Sequence, residues 1–142
     1  MKNKLLNPLA AAVLAALSGA AAAQSSVTLG GVADAAARMV RNEGVGSVKS
    51  LISGGNATSR LIVRGSEDLG GGLSAGFHLE HGMALDSGNA SGGAQFWDRR
   101  STISVASSSL GELRLGRDYV PTYTMWVRQD PFSHVGVASS SN

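Results

Sequence analysis

Cysteine is absent from this chain, and long apolar runs and aromatic side chains are scarce. Without cysteine, the chain can form neither a disulfide framework nor a thiolate metal site. Only 5% of its residues are aromatic, whereas a soluble β-sandwich of this length would need more aromatics and longer apolar runs in its core. The 12 basic and 10 acidic side chains form no basic cluster, so their distribution gives no reason to expect nucleic-acid binding.

The N-terminal end has the organisation of an export signal. Two lysines precede an apolar stretch at 5–17, and a small-residue cleavage motif follows at 21–23. The alternative, a transmembrane helix, needs about 20 apolar residues, which this stretch does not reach. We therefore expect residues 1–23 to be a signal peptide and residues 24–142 to be the mature domain. Loss of the two lysines leaves 10 basic and 10 acidic residues, so the mature domain is near neutral.

Hydrophobicity alternates with a period of two in several segments of the mature domain, which is typical of β-strands with one apolar face. The third segment is the clearest, because Phe77 and Leu79 fall on one face while Glu80 falls on the other. Such a period is incompatible with a helix. The predicted strands span residues 27–38, 59–66, 73–81, 99–106 and 112–118.

The connections between the predicted strands alternate between long and short. Long segments rich in Gly, Ser and Asn follow the first and third strands, and short turns follow the second and fourth. This asymmetry is typical of outer-membrane barrels. Because every backbone N–H and C=O must be paired within a bilayer, half-apolar strands span it only as a closed sheet. We therefore predict an all-β fold, an antiparallel up-and-down transmembrane β-barrel. The side chains expected to face its lumen are Asp34, Arg38, Arg60, Arg64, His78 and Glu80.

Four stretches resemble the Gram-negative trimeric porins of the β-proteobacterial type: VTLGGVAD at 27–34, SRLIVRGSEDLGGGL at 59–73, FHLE at 77–80 and LGELRLGRDY at 110–119. The resemblance implies a barrel of about sixteen antiparallel strands. Residues 24–142 would hold about the first five of them, as an N-terminal portion of a longer protein. It also implies a homotrimer in the lipid of the outer membrane, through which small hydrophilic solutes and ions diffuse passively, without nucleic acid, cofactor or catalysis.

In this family, a ladder of basic side chains on the barrel wall faces acidic residues on an inward-folded third loop. The resemblance assigns Arg60 and Arg99 to the ladder, whereas strand alternation places Arg100 rather than Arg99 on the lumen face; both assignments stay open. The third loop would occupy residues 119–142. Within it, Asp130 stands before a proline and is either an acidic constriction residue or a turn residue. Further pore-lining candidates are Arg38, Arg64, Arg117 and Asp118.

Two other classes of barrel remain as alternatives: an outer-membrane enzyme, and a structural or adhesive barrel. An enzyme would need convergent catalytic groups, and no Ser/His/Asp or paired-carboxylate arrangement can be assembled from these residues. His78, Glu80 and His81 are close in sequence, but alternation points His81 away from the other two, and the zinc-protease motif requires a helix. No metal or cofactor site is therefore predicted.

Overall fold

The computed structural model describes residues 25–136 and 138. The predicted signal peptide at 1–23 lies outside these residues, and so does the end of the predicted third loop at 139–142. The described elements, in chain order, are β1 (Ser26–Val32), β2 (Ala35–Asn42), β3 (Gly46–Ser53), β4 (Arg60–Gly70), β5 (Leu73–Ala84), β6 (Asn89–Ala90), β7 (Arg100–Ser107), β8 (Gly111–Arg117) and α1 (Pro121–Gln129).

The main sheet is an antiparallel meander in the order β1-β4-β5-β7-β8. The short strand β6 pairs with the end of β5, and β2 pairs with β3 in a second ladder. Each of the five predicted strands overlaps a strand of the main sheet, so the prediction of antiparallel β-structure is confirmed. Within the described residues the sheet is open and does not close on itself.

The first long connection was wrongly predicted to be a loop. The strand predicted at 27–38 is interrupted after Val32 and continues as β2, which forms a hairpin with β3. Gly44 lies in the hairpin turn and Gly46 directly follows it, with φ values of +81° and +97°, which glycine adopts without steric cost. The apolar residues of β3 do not fall on one face, since Leu51 points away from Val48 and Ile52. For that reason β3 was missed.

Residues 54–59, between β3 and β4, lie outside both strands, and Asp34 binds the backbone of this segment. The Asp34 carboxylate accepts hydrogen bonds from the backbone N–H groups of Gly55 at 2.8 Å and Ala57 at 3.1 Å. The buried Ser59 hydroxyl donates to the Asp34 carbonyl at 2.8 Å and accepts from its N–H at 2.9 Å. Asp34 therefore binds the backbone of residues 54–59. A charged acceptor can satisfy several backbone N–H groups that have no strand partner.

The register gives the main sheet one apolar face and one polar face. On the apolar face, Phe77 pairs with Ile103, which pairs in turn with Leu115. Ile103 is 64% exposed, and no large apolar side chain in the described part of the chain is buried. On the opposite face, which we call the polar face, Arg64 pairs with His78. The folded chain therefore leaves the apolar face uncovered and concentrates charge on the polar face.

The segment after β8 contains a helix that the sequence did not predict. α1 begins after Val120 with Pro121 in its first turn, where the missing N–H is not needed for helix hydrogen bonding. The aromatic residues and proline of this segment had indicated a loop. Among the described residues, no helix is both long enough and apolar enough to cross a membrane.

Candidate functional site

Glu80, on β5, is the centre of a charged cluster on the polar face. It is only 6% exposed. Arg99 Nε donates to Glu80 Oε1 at 2.6 Å, and Arg60 Nε lies 3.6 Å from the same oxygen. The Tyr119 hydroxyl also donates to Oε1, at 3.0 Å. A buried carboxylate is stable only with such partners, so Glu80 holds two guanidinium groups in place beside it.

A second group of charges extends the cluster to the end of β8. Asp118 lies between two guanidinium groups, 2.7 Å from Arg100 Nε and 2.9 Å from Arg114 Nη1. Arg100 Nη1 also donates to His78 Nδ1 at 2.9 Å, so this ring nitrogen acts as an acceptor. Burial raises the pKa of Asp118, but hydrogen bonds from Arg114 and from the Tyr119 backbone, together with the Arg100 charge, hold the pKa below its usual value. Asp118 is therefore ionised at neutral pH.

Both Arg99 and Arg100 reach the polar face, although strand alternation admits only one of them. The register pairs Arg100 with Glu80, which places Arg100 on the polar face directly. Arg99 lies just before the first residue of β7, where alternation no longer determines the side-chain direction. Its backbone N–H bonds to the Glu80 carbonyl at 3.2 Å, and its side chain bonds to the Glu80 carboxylate.

A cavity of about 520 Å³ separates α1 from the polar face. Arg60, Glu80 and Arg99 line it on the sheet side, and Tyr123 and Arg128 line it on the helix side. Among the described residues that line it, Glu80 is the one carboxylate, and three residues contribute guanidinium groups. The space between the helix and the sheet is therefore positively charged.

Neither Asp130, the acidic candidate in the predicted third loop, nor Asp118, the acidic candidate just before that loop, lines this cavity. Asp118 is held by arginines of the sheet. Asp130 is 8% exposed and accepts hydrogen bonds from the backbone N–H groups of Phe132 at 2.8 Å and His134 at 3.3 Å. Backbone hydrogen bonds of this kind are typical of an Asp at a turn.

The other predicted pore-lining arginines lie at different distances from the cluster. Arg64 is exposed on the polar face, where it pairs in register with His78. Arg38 lines a separate cavity of about 500 Å³. Arg117 pairs in register with Ser101 and donates to the Asp98 carbonyl at 3.2 Å, in the segment that precedes β7. The structure therefore brings Arg64 to the cluster but not Arg38 or Arg117.

The two histidines near Glu80 point in different directions, as alternation predicted. His78 Nε2 lies 3.7 Å from Glu80 Oε2. His81 instead contacts Asp98 at 3.4 Å and stacks on Phe96, with ring centroids 4.3 Å apart. Within residues 25–136 and 138, no group of three or more His, Cys, Asp and Glu residues is arranged to hold a metal ion.

Known proteins match this chain over nearly its whole length. A family model described as the Gram-negative porin matches residues 10–142. The chain belongs to the Gram-negative porin family. It is 51% identical over 138 residues to outer membrane porin protein 32 of Delftia acidovorans, a match that covers 96% of this chain and 37% of that protein. It is 35% identical over 152 residues to an outer membrane porin protein of Bordetella pertussis, with 93% and 37% covered.

A solved structure also resembles this porin chain. The anion-selective porin from Comamonas acidovorans superposes with a TM-score of 0.70 at 44% sequence identity, and the match covers 82% of this chain and 34% of that one. The chain spans about 37% of the length of the two relatives named above. The expected family and outer-membrane location are confirmed, and both family and relatives point to a channel protein rather than an enzyme.

Three residues around the cavity and the cluster were given no role from the sequence of this porin chain: Arg114, Tyr119 and Arg128. Alternation with Leu113 and Leu115 was a sufficient signal to place Arg114 on the polar face. Tyr119 and Arg128 belong to the segment that was predicted to be a loop. No local sequence pattern predicts how that segment lies across the sheet. The positions of Tyr119 and Arg128 at the cavity could therefore not be predicted from the sequence.

Proposed function

We propose that this porin chain forms part of the wall and the constriction of a water-filled channel that prefers anions. The observation that carries this proposal is the cavity under α1, which among the described residues is lined by the guanidinium groups of Arg60, Arg99 and Arg128 and by one carboxylate, that of Glu80. Positive side chains around a narrow passage raise the local concentration of anions and repel cations. The description of the Comamonas relative as an anion-selective porin supports the same preference.

In this proposal the polar face lines the lumen and the apolar face meets lipid or a neighbouring subunit. A basic side chain on the lipid face near the bilayer midplane would cost about 2 to 4 kcal/mol. Arg64, Arg100 and Arg114 all lie on the face opposite the exposed Ile103. The complete barrel would have about sixteen strands and assemble as a homotrimer in outer-membrane lipid, and small hydrophilic solutes and ions would diffuse through it without energy input.

The charge pattern of the proposed constriction differs from the family arrangement, in which basic side chains on the barrel wall face acidic side chains on the third loop. On the helix side of the cavity, Arg128 adds a positive charge to those of Arg60 and Arg99. Asp118 and Asp130 are engaged elsewhere, with arginines and with backbone N–H groups respectively. Apart from Glu80, the charged side chains that line this cavity among the described residues are all basic, which favours anions.

The test is a current recording on a complete barrel that contains this sequence, reconstituted in a planar lipid bilayer. Stepwise conductance is expected, and a salt gradient across the bilayer should give a reversal potential of the sign that anion permeation produces. Absence of conductance steps would contradict the channel. Steps with a cation-type reversal potential would contradict the anion preference alone.

A further inference from the structure

Tyr119 lies where the chain leaves the sheet and enters the segment that crosses the polar face. It sits between the end of β8 and the start of α1. Its hydroxyl donates to Glu80 Oε1 at 3.0 Å, the oxygen that also accepts from Arg99. The guanidinium carbons of Arg99 and Arg100 lie 5.7 and 5.3 Å from the centre of its ring. These distances are within the range of cation–π attraction, so one side chain contacts three charges of the cluster.

The same ring begins a series of aromatic contacts that extends along α1. Tyr119 stacks on Tyr123 with ring centroids 5.5 Å apart and an interplanar angle of 19°. Tyr123 meets His134 edge to face at 5.7 Å, and Trp126 meets the same histidine at 4.3 Å. Aromatic pairs in these geometries are attractive. The helix is therefore connected to the charged cluster through Tyr119.

The hydroxyl of Tyr119 remains a hydrogen-bond donor throughout the neutral pH range. Burial, followed by the negative charge of Glu80, raises the pKa of the Tyr119 phenol to about 12, against the opposing effect of the Arg99 charge. Because the phenol stays protonated, it can donate to Glu80 throughout this range.

We propose that Tyr119 is a positioning residue that couples the placement of α1 to the charge pattern of the cavity. Its hydroxyl holds the Glu80 carboxylate and its ring holds the guanidinium groups of Arg99 and Arg100. This inference rests on the proposed anion-preferring channel. Loss of the hydroxyl leaves more of the Glu80 charge uncompensated, which lowers the preference for anions. Loss of the ring also releases the helix, which increases fluctuations of the open-channel current.

The experiment compares Tyr119→Phe, Tyr119→Leu and the control Ser47→Ala in a complete barrel that contains this sequence. Ser47→Ala also removes one hydroxyl, but Ser47 is exposed on the β2–β3 hairpin, where its hydroxyl accepts from Arg41 Nε at 3.4 Å, so its removal should leave the permeability ratio unchanged. Tyr119→Phe is expected to lower the anion-to-cation permeability ratio by about twofold, the effect of partly exposing one charge near the ion path. Tyr119→Leu should lower it further and increase current noise.

Several outcomes would overturn the role of Tyr119. One is a permeability ratio and noise in Tyr119→Phe equal to those of the wild type. Another is an equal shift from Tyr119→Phe in the wild-type and Glu80→Gln backgrounds, because glutamine carries no negative charge that loss of the hydroxyl could leave uncompensated. Tyr119→His keeps a ring and an N–H donor and should fall between the wild type and Tyr119→Leu; a folded histidine variant indistinguishable from Tyr119→Leu would also overturn it. A wild-type channel that prefers cations would remove the proposed function, while the difference between variants would still report on Tyr119.

Discussion

Replacement of Arg60 by glutamine in a complete barrel that contains this sequence is expected to weaken the anion preference of the channel. The Arg60 side chain is 30% exposed and that of Glu80 only 7%, so the guanidinium group is the more accessible charge of the pair. Glutamine removes the positive charge and keeps a polar side chain. Glu80 retains its hydrogen bonds from Arg99 and Tyr119, so the rest of the cluster should keep its geometry.

The size of the effect follows from Coulomb's law. For an ion in water about 6 Å from the guanidinium group, the interaction is about 0.7 kcal/mol. Screening at about 0.1 M salt, where the Debye length is about 10 Å, reduces it to about 0.4 kcal/mol. Because the charge attracts an anion and repels a cation equally, the permeability ratio changes by about 0.8 kcal/mol, or about fourfold.

The assay is the reversal potential in a salt gradient, measured at low and high ionic strength. The fall caused by Arg60→Gln should shrink as salt increases, since screening grows. Arg41→Gln is the matched control, because Arg41 is exposed on the β2–β3 hairpin, where its Nε bonds to Ser47 Oγ at 3.4 Å. An unchanged ratio in Arg60→Gln, or an equal fall in Arg41→Gln, would refute the placement of Arg60 at the ion path.

Two further predictions concern the folded state. Asp34→Ala should lower the free energy of unfolding by about 3 kcal/mol, because Gly55 and Ala57 lose a charged acceptor; urea unfolding in lipid vesicles measures this, and an Asp34→Asn variant as stable as the wild type would argue against the role of the charge. The pKa of Asp118 is lower in the folded state, so the stability that Asp118 contributes is present above its unfolded-state pKa and is lost as pH falls through its folded-state pKa. The pKa of Tyr119 is higher in the folded state, so the stability that Tyr119 contributes is lost as pH rises from about 10 to about 12. Unfolding midpoints measured across pH should therefore decline at both ends, and an acid decline unchanged in Asp118→Asn would refute the first assignment.

Local sequence was sufficient to predict most of the main sheet. Successive side chains in a strand point to opposite faces, so alternation reports both the strand and its two faces. It placed Phe77 and Ile103 on apolar faces and His78 and Glu80 on a polar one, and the register agrees. The hairpin β2–β3 was missed because the apolar residues Val48, Leu51 and Ile52 of β3 do not share one face, so β3 has no clear period of two.

The sequence by itself determined the amphipathic strands, and the resemblance it carries determined the family. Only the tertiary structure decided which charges meet. Arg99 and Tyr119, 19 and 39 residues away along the chain, both reach the Glu80 carboxylate, and α1 carries Arg128 over the same cavity. The physical reason is that alternation follows from the backbone geometry of neighbouring residues, whereas electrostatic interactions depend on distances in space, which the register of the sheet and the path of the chain after β8 establish.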